Sequence, residues 1–361
     1  MHRRHLLKNS TALAALGMGA ALPAVGTAAT LPTALGASAP GHQAGDIIKP
    51  RRLEPGMTLG LIAPASPPDE KEKIRFAGDV IRSLGYTVKE GANLYAKTQY
   101  LAGTDQQRAD DVNAMFADPD VDAIFCVTGG YGTTRILPLL DYDTIAANPK
   151  ALIGYSDITG ILNAIYARTG LVGFHGPVAM RNFGDYALAE FQKVLVNPSA
   201  PVALAAPPPF ETSPGQVERY NRITHIAGGS GEGRLVGGNL TLMASMTGSP
   251  YFPSTEGNIL FLEDIDEAPY RIDRMLTELW LAGHLDNLAG VVLGRFTEAD
   301  ANGNTFTLEE VFEDRFGNAD YPVVSNLMIG HMRDISTIPV GARARLDGDA
   351  GTLTLLETAV L

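Results

Sequence analysis

A serine stands where an apolar strand gives way to a helix in residues 151–162, ALIGYSDITGIL, with Ser156 directly after Gly154 and Tyr155. A hydroxyl held out of a sheet at such a turn has the backbone N–H groups of the helix start beside it. A nucleophilic serine needs that setting, because the oxyanion it generates must meet donors already in place. The match to G-x-S-x-G is partial, since Ile158 occupies the second glycine's position. The competing reading is that Ser156 is a plain N-cap. A second turn of the same kind, VTGGYGTTRIL over residues 127–137, presents Gly129, Gly130 and Gly132.

Such a serine requires a base, and usually a carboxylate to orient that base. Of seven histidines, His2 and His5 lie at the N-terminus, and His42 lies in a Pro- and Gly-rich stretch. His225 and His284 read as surface or helix-end residues. His175 in GFHGP and His331 in MIGHM remain, and spacing alone divides the role evenly between them. His331 leaves the strand-like segment 321–324 through Gly330, which puts it on a loop able to reach another domain's serine. For the carboxylate, LEDIDE (residues 262–267) offers four acids, and Glu263 is the first polar residue after Ile259-Leu260-Phe261-Leu262. A carboxylate at a strand's carboxyl end often lines a site. The cluster also reads as a solvated turn, with Asp266 and Glu267 favouring the start of the next helix. Asp264, Asp266 and Glu267 could instead hold a divalent cation, although no histidine lies close to them in sequence.

The elements that must position these residues follow from periodicity. Residues 58–64 form a first strand, ending in Pro-Ala-Ser-Pro-Pro. Apolar positions 74, 77, 80, 81 and 84 predict a helix over 70–84. A strand follows from 86, then a helix over 104–117 with Thr104 as N-cap, then a strand over 121–127. Alternation of this kind implies βαβ units around a parallel sheet, with the site at the carboxyl ends of its strands. The pattern breaks near 197, where residues 198–215 are rich in proline and lack periodicity. Beyond it, strands are expected over 233–239, 258–263, 290–293, 342–346 and 352–356, with helices over 240–246 and 270–282.

The 361 residues are 45% hydrophobic and 19% charged, which suits one large or two medium globular domains. Arg3-Arg4 precedes an alanine-rich apolar run over 11–22 and small residues over 24–29. This reads as a twin-arginine export signal cut near 26–30, and hence a periplasmic or extracellular protein. No later stretch holds the roughly 18 unbroken apolar residues a membrane span requires. Residues 1–29 carry Arg3, Arg4 and Lys8 and no acid. Subtracting those three charges from the net −12 leaves −15 for the mature chain. That balance argues against nucleic acid and anionic lipid as partners. Cys126 is the single cysteine, so neither an internal disulfide nor a thiolate zinc site is possible within one chain. Its apolar neighbours mark it as a buried, inert thiol.

Taken in order, GLIAPAS (60–66), YLAGTDQQRADD (100–111), GGYG (129–132), GYSDIT (154–159), GGNL (237–240), LFLEDIDEAPYRIDRML (260–276) and Gly330-His331 with IPVG (338–341) resemble the LD-carboxypeptidases. These are muramoyltetrapeptide carboxypeptidases, a serine peptidase family that includes microcin-immunity-type enzymes. The resemblance runs from about residue 57 to the C-terminus. It implies Ser156 as nucleophile, Glu263 as orienting carboxylate and His331 as base. It also implies an oxyanion hole from the N–H groups of Asp157 and Gly130, with no metal or cofactor. The implied fold is α/β, with a flavodoxin- or Rossmann-like parallel-sheet domain and a smaller β-rich swivelling domain, usually a homodimer. The corresponding divisions are a signal over 1–29, a linker over 30–56, a nucleophile domain over 57–197, an interdomain linker over 198–232, and a domain carrying Glu and His over 233–361. The implied substrate is a muropeptide or other peptide cut at an L,D bond to release D-alanine. An amidase acting on peptidyl nucleotides and a non-catalytic muropeptide binder are the alternatives. Where the family often has an arginine before GGYG, this chain has Thr128. Arg108, Arg135 and Arg181 are candidates for holding a terminal carboxylate, each also readable as a surface or structural residue.

Overall fold

The computed structural model describes residues 47–361. The expected export signal and the linker up to residue 46 lie outside the described residues. The first half runs β1 (Thr58–Ile62), α1 (Lys71–Ser83), β2 (Thr87–Glu90), α2 (Asp105–Ala117), β3 (Ala123–Cys126), α3 (Thr133–Ile136), α4 (Tyr142–Ala147), β4 (Ala151–Gly154), α5 (Thr159–Thr169), β5 (Gly173–His175) and α6 (Asp185–Phe191). The second half runs β6 (Val202–Leu204), β7 (Thr224–Ala227), β8 (Ser230–Asn239), α7 (Leu240–Met246), β9 (Ile259–Ile265), α8 (Pro269–Leu281), β10 (Gly290–Thr297), α9 (Leu308–Phe316), β11 (Val323–Gly330), β12 (Ile338–Val340), β13 (Arg343–Asp347) and β14 (Thr352–Leu355).

The first sheet has the order β12-β5-β4-β3-β1-β2. Strands β1 to β5 are mutually parallel, and β3 and β4 are buried at every position because helices cover both faces. The order 2-1-3-4-5 is flavodoxin-like, with a switch point between β1 and β3 where loops diverge to leave a crevice. Helix α1 buries Ile74, Ala77, Val80 and Ile81 along one stripe. Helix α2 starts with a reciprocal capping box between Thr104 and Gln107.

The second sheet is mixed, in the order β6-β14-β13-β8-β9-β10-β11-β7. Its centre, β8 to β11, is parallel, and its flanks are antiparallel. Residues 198–232, read from sequence as a linker, contain β6 and β7 and the start of β8. β6 and β7 form the two edges of this sheet. Three or four residues among prolines are too few to show a period of two. Residues 47–56 are likewise tied down rather than loose. Ile48 bridges Leu171, Leu53 is buried, and Arg52 N–H donates to the Leu361 carbonyl. The strand β12 returns from the second half to pair antiparallel with β5, at the edge of the first sheet. Pro339 is tolerated there because an edge strand can do without one N–H. One continuous cluster of buried side chains runs through both halves.

The halves meet where α5 lies on β8. The Asn163 side chain donates to the Gly237 carbonyl at 2.8 Å and accepts from the Gly237 N–H at 3.1 Å. Asn239 N–H donates to Thr159 Oγ1 at 3.0 Å. Gly237 has φ +127°, and a Cβ there would stand 2.0 Å from the Phe261 carbonyl oxygen. Backbone, not a flexible side chain, fills that space, so Gly237→Ala is expected to destabilise by about 2 kcal/mol or more. Urea unfolding of the variant checks this, and a loss below about 0.5 kcal/mol would refute the packing argument.

Candidate active site

Strand β4 ends at Gly154, and Ser156 follows with φ +63°, a left-handed conformation that non-glycine residues seldom adopt. Such a conformation persists only where its surroundings over-determine it, and Asp157 is the main constraint. Its carboxylate, almost fully buried, accepts from the Thr133 N–H at 2.8 Å, and its backbone carbonyl accepts from the Thr133 hydroxyl. Burial pushes the Asp157 carboxyl above its ordinary range. Two bonds, both donated by Thr133, thus pin the serine turn to the turn after β3.

That second turn is glycine-built for contact. A Cβ on Gly129 would lie 2.8 Å from Ser156 Cβ and 3.1 Å from its Oγ. Gly130 has φ +114°, and a Cβ there would lie 2.5 Å from Ser66. Ser66, from the loop after β1, accepts from the Tyr131 N–H at 3.1 Å and donates its own N–H to the Gly129 carbonyl at 3.3 Å. Among the described residues the Gly130 N–H meets no protein acceptor. Loops after β1, β3 and β4 therefore converge on Ser156, as the switch point requires.

The second half supplies a histidine–carboxylate pair. His331 follows the last residue of β11, and its Nδ1–H donates to Glu263 Oε2 at 2.7 Å. That bond fixes the tautomer and leaves Nε2 with a lone pair whenever the ring is neutral. Glu263 is fully buried on β9, and burial pushes its carboxyl up against the opposing hydrogen bond and charge of His331. Gly330, with φ +130°, makes room, since a Cβ there would stand 3.0 Å from Glu263 Oε2. The His331 ring packs 4.8 Å from the ring of Tyr155, the residue before Ser156. Two of the residues singled out from sequence, His331 and Glu263, are thus paired, and the neighbour of the third, Ser156, packs on the imidazole. Burial pushes the Tyr155 hydroxyl up to about 12, so it stays a neutral donor. A cavity of about 530 Å³ opens beside His331.

The remaining candidates are placed elsewhere. Asp264 accepts from the Asn239 side chain and from the Thr241 N–H and hydroxyl, all at 2.9 Å, so it caps α7. Asp266 is exposed, and Glu267 pairs with Arg271. Cys126 is buried, and burial pushes its thiol up. Arg108 is buried on Asp105 and on the Pro64 and Gly132 carbonyls, and Arg135 also pairs with Asp105. Ser66, Thr133 and Tyr155 were not singled out from sequence. Only the quoted motifs around them marked their positions.

His175, the rival base, is fully buried, and neither ring nitrogen has a partner among the described residues. Burial, aided by His331, holds it at about 3, far below the ordinary 6.5. The folded state therefore takes up its proton later than the unfolded chain. Its contribution is intact above pH 6.5 and is lost as the pH falls toward 3, by at most about 1.4 kcal/mol per pH unit. His175→Leu is expected to unfold at a pH-flatter midpoint than the parent between pH 6.5 and pH 4 in urea titrations. Identical slopes in the two proteins would contradict this.

Comparison with known proteins agrees with this architecture. Residues 59–176 match the LD-carboxypeptidase N-terminal domain, and residues 232–346 match the LD-carboxypeptidase C-terminal domain. The probable murein peptide carboxypeptidase of Bacillus subtilis is 39% identical over 87% of this chain and 94% of its own length. The crystal structure of muramoyltetrapeptide carboxypeptidase from Oxalobacter formigenes superposes with a TM-score of 0.70 at 32% identity, covering 83% of this chain and 98% of that one. The microcin C7 self-immunity protein MccF, in its wild-type apo state, gives a TM-score of 0.79 at 27% identity, over 87% of this chain and all of that one. With both domains matched and a relative of this identity aligned along nearly its whole length, the chain belongs to the LD-carboxypeptidase family of peptidases.

Proposed function

We propose that this protein is a serine-type LD-carboxypeptidase that releases C-terminal D-alanine from peptidoglycan-derived tetrapeptides. The observation that carries the reading is the buried His331–Glu263 pair, packed on Tyr155 beside a left-handed Ser156. In this scheme His331 Nε2 takes the Ser156 proton as Oγ attacks the carbonyl carbon of the L-configured third residue. The N–H groups of Asp157 and Gly130 receive the tetrahedral oxyanion. Collapse breaks the C–N bond, and the Nε2 proton goes to the departing D-alanine amine. Water then attacks the ester with His331 again as base, restoring the serine hydroxyl. Glu263 holds the imidazole in the tautomer both steps use. No step calls for a metal or cofactor.

A second reading, amide hydrolysis on a peptidyl nucleotide, draws support from the likeness to MccF. A non-catalytic muropeptide binder is the third. Fluorophosphonate labelling of Ser156 separates either enzyme from the binder, and product analysis on a tetrapeptide ending in D-alanine separates the two enzymes. Ser156→Ala, His331→Ala and Glu263→Gln are each expected to lower kcat by about 10³-fold or more with the fold intact by circular dichroism. The double variants should be little worse than the worst single, because the three act as a unit. Near-full activity in His331→Ala would remove the assignment of the base.

We also propose export by the twin-arginine route and function as a homodimer, the first from Arg3-Arg4 with the short apolar run and the second from the family resemblance. Replacing both arginines by lysine is expected to retain the precursor in the cytoplasm, read by fractionation and N-terminal sequencing. Undiminished export of that variant would overturn the route.

A further inference from the structure

The cavity beside His331 carries two guanidinium groups for which the proposed chemistry has so far given no task. Its wall includes Arg181 and Asn182, from the loop after β5, and Met332 and Arg333, from the loop after β11. Pro177, Ala187 and Ile335 supply its apolar part. Arg108, Arg135, Arg234, Arg271, Arg315, Arg343 and Arg345 each pair with a carboxylate, whereas among the described residues Arg168, Arg219, Arg222, Arg274 and Arg295 do not, and none of these lines the cavity. Among the described residues Arg181 and Arg333 pair with none. Arg181 instead lies over the Tyr155 ring, with its guanidinium carbon 5.7 Å from the centroid, so the residue before Ser156 supports it. Arg333 packs beside Gly184, where a Cβ would stand 3.5 Å from its Nε. Asp334 faces the same glycine but lies outside ion-pair distance of Arg333.

We infer that Arg181 and Arg333 form a clamp for the free carboxylate of the substrate's C-terminal residue, with the apolar wall beside them receiving that residue's methyl group. The inference deepens the carboxypeptidase reading and rests on it. Planar guanidinium forks match a carboxylate with two parallel N–H···O bonds, and a lysine would not. The clamp sits on the leaving-group side of the scissile bond, next to the imidazole that must protonate the departing amine. It distinguishes an exopeptidase from an amidase on the same catalytic frame, because an amidated terminus would bring the two exposed cations no negative charge to pair with.

The test compares a stem tetrapeptide ending in D-alanine with its C-terminal amide. The parent protein should prefer the acid by about tenfold to a hundredfold in kcat/KM. Arg181→Gln and Arg333→Gln should each cut that preference about tenfold, chiefly through KM for the acid, and leave the amide rate unchanged. Arg→Lys should restore part of it. A merely structural role would lower both rates together. An unchanged acid-to-amide ratio in the double Gln variant overturns the clamp while the carboxypeptidase reading stands. If the parent releases neither D-alanine from the acid nor D-alaninamide from the amide, that reading fails. The clamp is then judged by calorimetry in the Ser156→Ala protein, where the acid must bind more tightly than the amide and the Gln variants must abolish the difference. Equal affinity for the two, or binding of neither, overturns it.

Discussion

Everything at the site depends on how closely helix α5 approaches strand β8. The two come that near because Gly238 presents no Cβ, which would stand 2.5 Å from Thr159 Oγ1, and because Asn163 supplies in one side chain the donor and acceptor that a neighbouring strand would. The serine turn is the head of α5. Glu263 lies in register with Asn239, the last residue of β8. A shift of α5 off β8 by the width of a methyl group would therefore move the hydroxyl away from the histidine–carboxylate pair by the same amount. Ser156 and His331 follow strands of different sheets, so their separation is set by this contact and by the core the halves share, not by either fold alone. Small misplacements of reacting groups cost large factors in rate, which is why the contact is buried and hydrogen-bonded throughout.

The strain at Ser156 has the same logic at smaller scale. A left-handed non-glycine residue costs on the order of 1–3 kcal/mol. Asp157 and Thr133 offset it with two bonds in a dry setting, where hydrogen bonds are electrostatically strong. The bonds run between the turns after β3 and β4, so the strained residue and the Gly129-Gly130 backbone are held as one unit. Donors placed in this way need no reorganisation when charge develops. The motif GGYG and the motif GYSDIT are thus halves of one device, separated by a helix pair in the chain and joined at the carboxyl ends of adjacent strands.

Much of this was legible beforehand, and the exceptions have physical causes. The parallel sheet followed from buried strands alternating with amphipathic helices, and α7 was expected over the residues it occupies. Strands β6, β7 and β12 were not legible. Each is three or four residues long and takes its order from the partner it pairs with, and β12 pairs across halves with β5. The ordered start at residue 47 was hidden because Ile47, Ile48 and Leu53 are isolated apolar residues in a Pro- and Gly-rich stretch. Spacing alone left His175 and His331 equal, because it cannot report burial. His175 lies inside a buried strand with no partner, whereas His331 lies at a strand's end beside a cavity and an acid. Arg333 was unreadable, since nothing local in sequence distinguishes an arginine that faces a cavity from one that faces water.

The four acids of LEDIDE show what settles such a choice. Successive side chains on a strand point to opposite faces, so Glu263 and Asp264 cannot serve the same site. Glu263 points to His331, and Asp264 points to the first turn of α7, where it satisfies orphan donors. Asp266, with φ +58°, lies past the strand in water, and Glu267 takes up Arg271. The opposite arrangement holds across the cavity, where Arg181 and Arg333 lack carboxylates of their own. Two guanidiniums without carboxylates beside a buried glutamate paired to His331 divide the site by charge. One side carries the buried carboxylate and its imidazole, and the other carries two guanidiniums whose charge favours a negative group.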